Sequence, residues 1–308
     1  MKRGLILLMT LLMPVLLWAQ QTETHTFVVR DSVPLRLDVH RPDCPRSDRA
    51  CVLSVFGGGF FSGSRDNGLQ KEIARVLTER GFTVISIDYR LGFKDSVAAA
   101  KYSGLLKVDD FFQYSIDMAV EDCAAACAYV VQHAGELNIN PSRMVLTGSS
   151  AGAITVLQLD YSRANGLPIA SSLPPDWRPA AVVSYAGGVM CLKRDMKFAT
   201  PPAPVMLMHG TKDKIVSYKH FGLPFSPKMR GSNDLAKAYK RGGYPCWIMR
   251  YEGIGHEVAS FLPGSVDLFC GFVEQVFTGR VTWLDATVKD SKLVPTKWTK
   301  MNLFDLYK

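Results

Sequence analysis

The 308 residues combine 47% apolar side chains with a net charge of +8, from 36 Lys and Arg against 28 Asp and Glu. That apolar content excludes a disordered chain, which buries too little surface to offset its ordering entropy. Seven cysteines cannot all pair within the chain.

The opening residues run Lys2-Arg3, an apolar stretch from Leu5 to Leu17, then Trp18-Ala19-Gln20. Basic, apolar and small, in that order, is the pattern of a signal peptide. The stretch is shorter than the roughly 20 residues a bilayer span requires, and Pro14 interrupts it. The expectation is a signal peptide over 1–19, a single domain over 20–308, a secreted or periplasmic location and no stable membrane insertion.

Two strands are predicted at His25 to Arg30 and Leu35 to His40. A third, Cys51 to Val55, runs into Phe56-Gly57-Gly58-Gly59-Phe60. A helix over Leu69 to Arg80 then leads to a strand over Phe82 to Asp88. Met144 to Thr147 is a short apolar strand ahead of Gly148-Ser149-Ser150-Ala151-Gly152, with a helix from Ala151 to Asp160. Ala180 to Ser184 follows. Pro204 to Met208 leads into His209-Gly210-Thr211-Lys212-Asp213, and Trp247 to Tyr251 leads into Gly253-Ile254-Gly255-His256-Glu257. Strands alternating with helices predict an α/β fold, a mostly parallel central sheet flanked by helices. Leu91 to Tyr114, Tyr161 to Trp177 and Tyr218 to Asn233 read as short cap insertions. Their aromatics either shape a pocket or pack against the sheet.

The Gly-x-Ser-x-Gly turn between a strand and a helix is a nucleophile elbow: only glycine fits both flanks, and the serine hydroxyl stands above the sheet. A serine hydroxyl needs an imidazole to take its proton and a carboxylate to fix the imidazole's tautomer. Ser150, Asp213 and His256 occur in the required chain order, each just beyond a predicted strand. His209 is the alternative base, although its place before Gly210 suits shaping the turn. Asp195 is the alternative acid. Glu257 adjoins His256 and is badly placed to orient it, and Ser149 points away if Ser150 is the apex.

A tetrahedral intermediate of acyl transfer needs N–H donors for its oxyanion. The glycine run supplies Gly58 and Gly59, and Ala151 follows the nucleophile. The run lacks the Gly-Lys-Ser/Thr of a P-loop and the G-x-G-x-x-G of a dinucleotide fingerprint. Clustered Cys and His spacings for zinc are absent too, so neither a metal nor an organic cofactor is expected.

Cys44 and Cys51 flank a turn-rich loop and could bridge in an oxidising compartment. Cys123 and Cys127, four apart on a helix, read as small core residues sharing one face. Lys289, Lys292, Lys297, Lys300 and Lys308 make the last segment basic. No nucleic-acid-binding module accompanies them, so they read as solvated surface and no nucleic-acid partner is expected.

FGGGFFSGSRDN (Phe56 to Asn67), SIDYRLG (Ser86 to Gly92), NINPSRMVLTGSSAGA, HGTKD and GIGHE together resemble α/β-hydrolase esterases of the hormone-sensitive-lipase-like and carboxylesterase-like group. The nearer resemblance is to secreted carboxylesterase-like hydrolases of Bacteroidetes. It implies a serine esterase that cleaves carboxylic esters through an acyl-enzyme. The substrate would be a small-molecule or glycan-linked ester, such as acetyl or feruloyl groups on plant polysaccharides. A serine peptidase on the same fold and a non-catalytic binding protein are the alternatives. The family usually carries a histidine ahead of the three glycines to brace the oxyanion loop, and this chain has Phe56. Short cap insertions favour short acyl chains, or aromatic acyl groups admitted beside Phe60 and Phe61.

Overall fold

The computed structural model describes residues 22–104, 107–191, 196–221 and 228–307. The expected signal peptide over 1–19 and the alternative acid Asp195 lie outside the described residues. Among those described, no helix is long and apolar enough to cross a membrane.

Strands β1 (Thr22–Arg30) and β2 (Val33–His40) form an antiparallel hairpin. Its two-residue turn holds Asp31 and Ser32 at φ 48 and 65. Positive φ at both central residues matches the right-handed twist of the paired strands. β3 (Cys51–Val55) follows, then helix α1 (Gly68–Thr78) and β4 (Thr83–Ile87). The Asn67 side chain caps α1 by accepting from the Gln70 N–H. Helices α2 (Ser96–Lys101) and α3 (Val108–Gln132) precede β5 (Met144–Ser149) and α4 (Ala151–Ala164). Next come β6 (Ala181–Tyr185), β7 (Gly188–Cys191), β8 (Val205–Gly210), β9 (His220–Phe221) and β10 (Lys228–Gly231). The order closes with α5 (Ser232–Gly242), β11 (Cys246–Tyr251), α6 (Val266–Phe277), β12 (Leu284–Val288) and α7 (Lys297–Lys300).

Nine strands form the main sheet in the order β1-β2-β4-β3-β5-β6-β8-β11-β12. β1 and β2 pair antiparallel, β2 meets β4 antiparallel, and all later pairings are parallel. Every residue of β3, β4 and β5 is buried, as continuous apolar runs require when helices cover both faces of a parallel sheet. One core lies under α3, α4 and α5, the other under α1 and α6. From β3 the chain moves outward to β4 and then back across to β5, so the winding direction reverses between β3 and β5. A crevice opens at the carboxyl ends of strands where winding reverses. The glycine run leaves β3 there, and Ser150 leaves β5.

The structure departs from the sequence reading in several places. β7, β10 and β9 make a separate three-stranded sheet, within which part of the Tyr218 to Asn233 stretch lies. The 25-residue α3 begins inside the expected insertion Leu91 to Tyr114. The Tyr161 to Trp177 stretch starts as the last turn of α4. Its Trp177 Nε1 donates to the Pro141 carbonyl at 3.0 Å, just before β5, so it packs at the amino ends of the strands rather than over the crevice. No disulfide joins Cys44 to Cys51. Cys44 is exposed, whereas Cys51 turns inward on β3 into the same core as Cys123 and Cys127.

Candidate active site

The turn after β5 forces Ser150 to φ 52 and ψ −117, a conformation that costs a non-glycine residue about 1–3 kcal/mol. Its flanks explain why the motif needs glycine. A Cβ on Gly148 would lie 2.3 Å from the Gly152 backbone, and one on Gly152 would lie 2.0 Å from the Val55 carbonyl oxygen. The strained residue is held on both sides. Its N–H donates to Tyr185 O at 2.9 Å, and its carbonyl accepts from Ile154 N at 2.9 Å, opening α4.

Ser150 Oγ lies 2.8 Å from His256 Nε2, and His256 Nδ1 lies 2.7 Å from Asp213 Oδ2. All three side chains are buried. Asp213 follows β8 and uses its other oxygen to accept from Ile215 N and Val216 N at 2.9 and 3.0 Å. Burial alone would push the Asp213 carboxyl up. The facing His256 and His209 instead hold it well below the usual carboxylate range. An ionised Asp213 accepts only, so His256 carries its proton on Nδ1 and presents the Nε2 lone pair to Ser150.

The weaker candidates find other roles. His209 is fully buried. Its Nε2 sits 2.9 Å from Val216 O and 3.3 Å from Asp213, and its Nδ1 sits 2.7 Å from Ser232 Oγ. It shapes the turn that bears Asp213 and makes no contact with Ser150. Ser149 Oγ donates to Ala259 O at 2.6 Å, tying the elbow to the short turn His256–Ser260. Glu257 accepts instead from Thr296, Thr299 and the Gly255 N–H.

The glycine run curls over the elbow. Gly58 has φ +133 and Gly59 φ +64, and a Cβ on Gly58 would lie 1.9 Å from Ser62 O. Gly58 O accepts from Phe61 N and Ser62 N at 3.1 and 2.9 Å, which fixes the peptide carrying the Gly59 N–H. Among the described residues, the N–H groups of Gly58, Gly59 and Ala151 meet no protein acceptor. Phe56 is buried and stacks on Tyr89 at 4.3 Å, and the Tyr89 hydroxyl donates to Phe56 O at 3.0 Å.

A pocket of about 340 Å³ opens over Ser150 and His256, walled by Phe61, Trp298, Leu306 and Tyr307. Two expectations change here. Phe60 has φ 59, which turns its ring under the loop into the core beside Tyr89, so of the two phenylalanines only Phe61 lines the pocket. The basic last segment is also more than solvated surface. Lys289, Lys292, Lys297 and Lys300 are exposed, but Trp298, Leu306 and Tyr307 between and beyond them wall the pocket. Lys308 lies outside the described residues. Sequence reasoning missed these three walls; the apolar residues spaced among the lysines were the signal available.

The sheet order and the turn that bears Ser150 are those of the α/β-hydrolase fold. The BD-FAE family model matches residues 37–103 and 112–166, which span the glycine run and the elbow but stop before Asp213 and His256. Lipase 2 of Moraxella sp. (strain TA144) is 32% identical over 106 residues, 34% of this chain and 20% of that protein. The acetyl esterase of Salmonella paratyphi B is 32% identical over 112 residues, 36% of this chain and 28% of that protein. The matched stretch therefore spans less than a third of either curated relative. Among solved structures, Thermogutta terrifontis esterase 2 with butyrate bound superposes with a TM-score of 0.59 at 19% identity, covering 84% of this chain and 95% of that one. The same esterase phosphoramylated by tabun gives 0.58 at 20% identity, covering 84% and 96%.

Proposed function

We propose that the protein is a serine hydrolase that cleaves carboxylic esters through an acyl-enzyme. The observation carrying this reading is the chain of short contacts from Ser150 through His256 to Asp213, set beneath three N–H groups without protein acceptors. Ser150 Oγ attacks the ester carbonyl carbon while His256 Nε2 takes its proton. The carbonyl oxygen becomes an alkoxide received by the N–H groups of Gly58, Gly59 and Ala151, each such donor contributing about 2.7–4 kcal/mol. The imidazolium, stabilised by Asp213, passes its proton to the departing alkoxy oxygen as the C–O bond breaks. Water, deprotonated by the same imidazole, then attacks the acyl-enzyme and releases the acid and Ser150.

Relatives named lipase and acetyl esterase support ester chemistry, and a fold neighbour solved with butyrate supports short acyl groups. Acetyl or feruloyl esters on plant polysaccharides fit the resemblance of the sequence motifs. The basic and apolar opening residues support a secreted or periplasmic location.

The test is labelling with a fluorophosphonate probe, followed by turnover of p-nitrophenyl, acetyl-xylan and feruloyl esters. The wild type should label and turn over at least one ester, and Ser150→Ala should do neither while still folding. Full labelling of Ser150→Ala would overturn the assignment of the nucleophile.

A further inference from the structure

The segment from Thr296 to Tyr307 reaches three of the four loops that converge on Ser150. Beside the histidine, Thr299 Oγ1 accepts from Gly255 N at 3.0 Å, and Glu257 Oε1 accepts from the N–H and hydroxyl groups of both Thr296 and Thr299. Beside the acid, Asn302 forms a β-bridge with Lys214, the residue after Asp213. At the oxyanion loop, the Tyr307 hydroxyl donates to Gly59 O at 2.8 Å.

That last contact acts where the loop is least constrained. Gly57, Gly58 and Gly59 have no side chains to pack, and glycine backbone is the most costly to order. The peptide between Gly58 and Gly59 is held by Phe61 and Ser62, as described above. Among the described residues, Tyr307 is the donor found on the next carbonyl, that of Gly59. The Tyr307 ring is itself held, against Phe93 at 5.1 Å and edge-on to Phe61 and Phe112 at 6.3 Å. A fixed ring presents a fixed hydroxyl.

We propose that Tyr307 is a positioning residue for the oxyanion loop, and that the segment carrying it clasps the histidine, acid and oxyanion loops into one register. Its kinetic consequence rests on the ester-hydrolase reading above. Tyr307 touches no reacting atom; it acts through Gly59, whose N–H faces the developing oxyanion.

Tyr307→Phe keeps the ring and removes the hydroxyl, so two measurements separate its role from general stability. Hydrogen exchange of the Phe61 and Ser62 amides, which donate to Gly58 O, should accelerate in Tyr307→Phe, with exchange in the core strands and the melting temperature unchanged. For any ester the wild type cleaves, kcat should fall about tenfold with KM nearly constant, since loosening a donor costs less than the 10²–10³ of deleting one. Unchanged exchange in the oxyanion loop, or unchanged kcat in an active enzyme, would overturn the proposal. A lower melting temperature with faster exchange throughout would also overturn it, leaving Tyr307 a structural role only. If the wild type neither labels nor cleaves esters, the functional reading fails, and the exchange experiment still decides whether Tyr307 braces the loop.

Discussion

Asp213 Oδ2 is shared by two imidazoles: His256 Nδ1 approaches it at 2.7 Å and His209 Nε2 at 3.3 Å. One histidine faces Ser150, while the other is buried beneath the acid and holds it in place. Asp213 is thus fixed by donors from its own turn and from the preceding strand.

Asp213→Asn should leave ester binding nearly intact while lowering kcat by up to about 10⁴-fold, because an amide can hold the imidazole in the wrong tautomer. Steady-state kinetics on a soluble p-nitrophenyl ester checks this. A loss confined to KM would mean that Asp213 is not the acid.

The pH dependence of the rate should show a single acid limb. Asp213 is held well below the usual carboxylate range, so its protonation does not intervene near neutrality. An imidazole must be neutral to accept the serine proton. kcat/KM should therefore fall with a one-proton slope on the acid side as the imidazole becomes protonated. A flat profile down to pH 4 would exclude His256 as the base.

Glu257 gives a second, independent pH signature. Burial opposes its ionisation, but hydrogen bonds from Thr296 and Thr299 and from backbone N–H groups hold its carboxyl down from 4.5 to about 2. A carboxylate depressed in the folded state contributes stability that is complete above its unfolded value and lost as pH falls through the folded one. The melting temperature of Glu257→Gln should lie below that of the wild type at pH 7, and the gap should close between pH 4.5 and 2. A gap that persists at pH 2 would mean that the ionised carboxylate is not what holds the segment.

Acyl length should be limited by the pocket walls. A buried methylene contributes about 0.8 kcal/mol only if apolar walls receive it, and the space of about 340 Å³ beneath Trp298, Leu306 and Tyr307 must hold both acyl and alcohol groups. kcat/KM for p-nitrophenyl esters should peak at acetate to butyrate, and Leu306→Ala should move the peak to longer chains. A steady rise through palmitate in the wild type would contradict the limit these walls impose.

The parts of the site that could be read from sequence share one property. Ser150, Asp213, His256 and the glycine run each follow a strand of mainly apolar residues, and in a parallel sheet those strand ends converge. β3 and the centre of β5 stand where the apolar runs put them. What escaped had no such local mark. β12 is short, mostly exposed and reads Leu-Asp-Ala-Thr-Val, with neither a continuous apolar run nor a buried face. α3 begins among Phe111, Phe112 and Tyr114 and is apolar on more than one side, so its helical period is blurred where the chain enters it. The Tyr307 contact with Gly59 spans 248 residues, a distance over which no spacing rule operates. Phe60 and Phe61 are neighbours of one type, and only the backbone twist at Phe60 separates core from pocket.

The inward-facing thiols of Cys51, Cys123 and Cys127 give the molecule an internal clock. They lie in the core shared by β3 and α3, with Cys51 pushed up to about 12 by burial, while Cys44 sits on the surface. A thiol reagent meets Cys44 at once and the other three only when the sheet parts from its helix. Slow alkylation at these positions would time the opening of the scaffold itself.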